Sequence, residues 1–149
     1  RSTPKAIQVF RKEVFDAIGG FLPLKHGGED TISCVMARMH GWKVWSFPDL
    51  KAIHLRPTGT GVAKSILEAR YRQGVTEYHL ASHPMFVLLK CIRLMALEPP
   101  RIVGGCARFA GFVKALLGRE PIELPEEVKA AMRKENMQRI IELNKVSRQ

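Results

Sequence analysis

Two glycines followed by two carboxylates, Gly27-Gly28-Glu29-Asp30, form the densest chemical motif in this 149-residue chain. Paired glycines turn the backbone sharply and leave space beside it. The residues after them repeat their apolar positions, Ile32, Val35, Met36 and Met39, at helical spacing. Asp30 is therefore expected to project from a helix N-terminus beside a gap that holds no side chain. A carboxylate so placed can take a proton from a hydroxyl that approaches through the gap. It can equally be structural, because acidic residues in a first turn are favoured by the helix dipole and by unpaired N–H groups. Further along, His54 closes an apolar alternation. An imidazole there can ligate a manganese-like ion or serve only as a hydrogen-bonded structural residue.

The elements that must position these groups are legible on both sides. Upstream, Val9 to Phe21 reads as a strand end, a short amphipathic helix and a stop at Gly19-Gly20. Downstream, Gly41 caps the helix that Asp30 begins, Lys43 to Phe47 reads as a strand, Pro48-Asp49 as a turn, and Ala52-Ile53-His54 as a second short strand.

Taken in order, the runs Phe10-Arg11-Lys12-Glu13-Val14-Phe15, Gly19-Gly20-Phe21, Gly27-Gly28-Glu29-Asp30, Gly41-Trp42-Lys43-Val44, Pro48-Asp49 and His54 resemble the second half of the catalytic domain of family 2 glycosyltransferases with a GT-A fold. The resemblance covers about Val9 to Thr60. It implies a mixed α/β fold, the acceptor-side part of a GT-A domain with short strands, followed by a mainly helical extension. It implies that Asp30 is the general base for the acceptor hydroxyl and that Glu29 shapes the acceptor site. His54 matches the position that lies near, or ligates, the divalent metal (Mn or Mg) holding the donor diphosphate. The implied partners are a nucleotide-diphosphate sugar donor and a glycan or lipid-linked acceptor, with inverting transfer. Arg70-Tyr71-Arg72-Gln73-Gly74 is similar in part to the segment after the core of polymerising members, where an aromatic ring stacks on the acceptor. Substrate binding is accordingly expected at Gly27, Gly28, Arg70 and Tyr71, although a basic helix face is most often simply solvated.

The chain departs from the family pattern in places. Ile32 and Met36 stand where many relatives carry a further acidic residue and an arginine, which bears on acceptor choice. No Asp-X-Asp triplet occurs, so the nucleotide-binding half is expected to be missing, the metal to bind only with that half, and this chain alone to be inactive.

Charge points to an anionic partner. Twenty-four Lys and Arg against 14 Asp and Glu give a formal net charge of +10, which attracts nucleic acid, sugar diphosphates or acidic lipid. Between Lys64 and Arg119 nine basic residues face three acidic ones, in the most apolar part of the chain. Pro84 to Leu97 reads as a helix started by proline, apolar nearly all round except at Lys90 and Arg93, and stopped by Pro99-Pro100. A second helix from Ile102 to Leu117 is expected to turn Ile102, Cys106, Phe109, Val113 and Leu116 to one face, with Arg108 and Lys114 off it. Neither reaches the roughly 20 apolar residues that cross a bilayer. The pair suits a hairpin in the interface of an anionic membrane or a helical pair covering a core or dimer contact.

The division expected is therefore a catalytic part at 1–60, a basic and apolar helical extension at 61–119, and a linker with an amphipathic helix at 120–149. Cys34, Cys91 and Cys106 are odd in number and far apart, which suits reduced thiols in a cytoplasmic setting, peripheral to a membrane, better than a zinc cluster. The competing reading is a non-catalytic basic helical module that binds a polyanion. It accounts for the charge but not for the ordered glycine and carboxylate motifs. Nucleic acid is the less favoured polyanion, because no RNA- or DNA-binding pattern accompanies Trp42, Trp45, Tyr71 and Tyr78.

Overall fold

The computed structural model describes residues 7–47, 49 and 63–146. The chain separates into two compact units, Arg1–Leu55 and Arg56–Gln149.

In the first unit, helix α1 (Lys12–Ala17) ends where Gly19 and Gly20 take φ values of 70° and 79°. Val14 and Ile18, one turn apart, are buried against Ala37 of helix α2 (Glu29–Met39), with Phe10, Met36 and Val44 packed around them. Phe10, Phe15 and Phe21 close this end through tilted and edge-on ring contacts, with centroids 5.9, 5.7 and 5.3 Å apart. Helix α2 stops at Gly41, whose φ is 81°. There the Gly41 N–H donates to Arg38 O and the Trp42 N–H to Ala37 O, both at 3.0 Å, the pairing that a left-handed residue after a helix allows.

The expected mixed α/β fold is not found: the described residues hold helices and no strand. Lys43 to Phe47 keeps the two-residue alternation that suggested a strand, with Val44 and Ser46 half-buried and Lys43, Trp45 and Phe47 exposed. Alternation reports which way side chains face. A strand also requires a hydrogen-bonded neighbour, and this segment has none among the described residues. The second expected strand, Ala52-Ile53-His54, lies outside the described residues.

The second unit contains helices α3 (Ile66–His79), α4 (Pro84–Leu97), α5 (Arg101–Leu117) and α6 (Glu126–Val146). The start of α3 is fixed by Ser65 Oγ, which accepts from the Glu68 N–H at 3.1 Å, while Glu68 Oε2 accepts from the Lys64 N–H at 2.7 Å. Pro84 opens α4, and His83 Nδ1 accepts from the Met85 N–H at 3.3 Å.

Helices α3 and α5 meet backbone to backbone. A Cβ added to Gly74 would fall 1.8 Å from Arg108 O, and one added to Gly111 would fall 2.1 Å from Tyr71 O. This contact decides which face of α5 is buried: Gly104, Gly105, Gly111, Phe112 and Ala115. The sequence expectation chose differently, and Ile102, Cys106 and Leu116 of its apolar face are exposed. Helical spacing of large apolar residues locates a stripe, but close approach selects the small ones. Val87, Cys91 and Phe112 form the centre of the unit, bordered by Tyr78, Phe109 and Val113. From α6, Val128, Met132 and Asn136 are buried. Asn136, 1% exposed, accepts from the His83 N–H at 3.3 Å and donates to Met132 O at 2.7 Å.

Candidate functional site

The motif singled out by sequence sits at the start of α2. Gly27 and Gly28 both adopt left-handed backbone, with φ of 78° and 99°, and Gly28 is the N-cap. A side chain would strain this turn by about 1–2 kcal/mol at each position. Beside Gly27 the space is open, since an added Cβ would meet nothing within 4 Å. Glu29 and Asp30 follow in the first turn, both half-buried. The next turns are held by Ile32, Cys34, Val35 and Ala37, all buried, so the carboxylates rise from an element fixed by packing.

Polar contacts brace the same turn. Gln8 Nε2 donates to Asp30 O at 3.2 Å and to Cys34 Sγ at 3.0 Å, and Ser33 Oγ donates to Glu29 O at 2.6 Å. Among the described residues the Asp30 carboxylate itself is in no hydrogen bond or ion pair. The structure thus brings Gly27, Gly28, Glu29 and Asp30 together. His54, the expected metal ligand, lies outside the described residues. Within the described residues of either unit taken alone, no three His, Cys, Asp or Glu side chains converge closely enough to hold a metal.

Arg70 and Tyr71 belong to the second unit and have partners there. Arg70 Nη2 lies 2.8 Å from Glu98 Oε2, and its Nη1 donates to Gln73 Oε1 at 3.3 Å. The Lys114 ammonium stands 6.0 Å from the centroid of the Tyr71 ring.

A charged cluster that sequence reasoning overlooked lies inside the second unit. The Glu77 carboxylate, 8% exposed, is met by Arg108 Nη2 at 2.5 Å, by Lys90 Nζ and by Ser82 Oγ at 2.8 Å. Burial pushes the Glu77 carboxyl up, but the charges of Lys90 and Arg108 and the hydrogen bonds from Lys90 and Ser82 outweigh it, holding the group below the usual carboxylate range. A legible signal existed: Glu77 follows Gly74 by three residues and Arg108 precedes Gly111 by three, so each lies on the face its glycine opens. With two cations on one carboxylate, this cluster ties α3, α4 and α5 together. Burial raises the thiol of Cys91 beside it above the usual range.

No helix among the described residues is long and apolar enough to cross a membrane. No family model, curated protein or solved structure matches the chain.

Proposed function

We propose that this chain is the acceptor-side part of a glycosyltransferase that moves a sugar from a nucleotide-diphosphate donor to a hydroxyl of a glycan or lipid-linked acceptor. The reading rests on the ordered motifs around α2, without a sheet. The observation that carries it is the opening of α2: a left-handed glycine pair with empty space at Gly27, followed by a half-buried carboxylate at Asp30 that has no partner among the described residues. In the reaction, the acceptor oxygen bonds to the anomeric carbon as its proton passes to Asp30, and the carbon–oxygen bond to the diphosphate breaks with the electron pair leaving on phosphate. A positioned base of this kind contributes about 10²–10⁴ in rate. Glu29, one residue earlier, orients the acceptor. The leaving diphosphate requires cationic or metal stabilisation, which belongs with the donor half and is independent of the proton transfer at Asp30.

The test is transfer of labelled sugar by the whole protein that carries this sequence, using a panel of nucleotide-diphosphate sugars with short glycans and lipid-phosphate-linked sugars as acceptors. Transfer to any of them supports the reading. Absence of transfer across the panel, with the protein folded, contradicts it.

A further inference from the structure

The α4–α5 hairpin exposes apolar side chains where a helical unit would ordinarily bury them. Helix α4 buries Val87, Cys91 and Leu94 on one side and presents Met85, Leu88, Leu89 and Ile92 to solvent on the other, at spacings of three and four residues. At the turn between the helices Leu97, Ile102 and Val103 are 65%, 68% and 58% exposed. A helix apolar on both sides is a helix with something on both sides, and exposed clusters of this kind mark interaction surfaces.

The charges around the turn select the partner. From Pro84 to Arg119 there are six basic residues and one acidic. Lys90 and Arg108 are committed to Glu77, and Glu98 is held by Arg70. Arg93, one turn before Leu97, and Arg101, directly before Ile102 and Val103, are exposed and have no ion pair among the described residues. In a symmetric contact with a second copy the same patch would face itself, gathering the guanidinium groups of both copies in one interface while its acidic residue, Glu98, is held by Arg70. A layer of anionic headgroups over hydrocarbon matches both features at once.

We infer that the α4–α5 turn is a membrane-docking tip: Leu97, Ile102 and Val103 enter the interface of an anionic bilayer while Arg93 and Arg101 engage its headgroups. The inference does not rest on Asp30, and either can fail without the other.

Co-sedimentation of the 149-residue chain with vesicles of mixed phosphatidylglycerol and phosphatidylcholine, against phosphatidylcholine alone, tests it. The wild type is expected to bind the mixed vesicles only, and more weakly as salt rises. Changing Arg93 and Arg101 together to Gln should weaken binding about 25-fold, at about fivefold per charge. Changing Leu97, Ile102 and Val103 together to Ser should abolish binding even at low salt, with helical circular dichroism unchanged. Leu97→Trp should shift its emission to the blue on mixed vesicles, read against the background of Trp42 and Trp45. Three results overturn the inference: a wild type that stays in the supernatant at low salt, binding that survives the triple Ser change, or a dimer in solution that the triple Ser change dissociates.

Discussion

Arg108 reaches Glu77 across the closest helix contact in the second unit, its Nη2 standing 2.5 Å from Glu77 Oε1. The two facts are connected, because Arg108 O is also the atom that a Cβ on Gly74 would strike. Gly74 therefore lets α5 approach α3, and that approach brings the guanidinium to a buried carboxylate that Lys90 and Ser82 also meet. An ion pair of this kind is costly to break, about 3–5 kcal/mol when one partner is removed, because the other charge stays buried.

Gly111→Ala should destabilise the second unit by about 3 kcal/mol or more. The new Cβ would stand 2.1 Å from the Tyr71 carbonyl oxygen, which is backbone and cannot rotate away. Urea titration followed by circular dichroism measures this; a loss under about 0.5 kcal/mol, the range of surface substitutions, would mean that α3 and α5 are further apart than described.

Acid should loosen the second unit through Glu77. Its folded carboxyl lies below the ordinary value, so its contribution to stability is complete above that value and is lost as pH falls through the folded one. Stability measured between neutral pH and pH about 2 should therefore fall steeply in the acid range. In Glu77→Gln, less stable throughout, that part of the acid dependence should be flattened. An acid slope identical to wild type would remove Glu77 as its source.

How much of this was legible in the sequence depends on which property set each element. Gly27-Gly28, the cap at Gly41, Pro84 at the start of α4 and Pro99-Pro100 at its end are written in backbone chemistry, and the helices begin and stop beside them. The strand expected at Lys43 to Phe47 failed because pairing is a property of two segments, and alternation is visible in one. The face of α5 failed because the expectation followed large apolar residues, whereas the close approach at Gly74 and Gly111 determines the contact. That Lys90 and Arg108 converge on Glu77 is hidden in the sequence because the three lie on different helices. Of the site, the α2 turn with Glu29 and Asp30 was legible; that Arg70 and Tyr71 have partners within their own unit was not.

Gly27 should separate backbone strain from open space. Asn tolerates left-handed backbone, and nothing stands within 4 Å of where its Cβ would be. Gly27→Asn should therefore fold with a loss of about 1 kcal/mol or less, yet its side chain would occupy the open space at Gly27. On the proposed reading it raises the KM for acceptor several-fold and leaves donor binding unchanged. An unchanged acceptor KM in a folded variant would show that the gap is not where the acceptor enters.

Asp30→Asn in the whole protein separates a proton acceptor from a merely structural carboxylate. The carboxamide keeps the shape of the side chain and cannot accept the proton as a carboxylate does. With Asp30 as the proposed base, kcat should fall by about 10²–10⁴, with donor affinity by titration within about twofold of wild type, as expected for a group that acts in the transition state only. A variant that turns over at the wild-type rate would contradict that role.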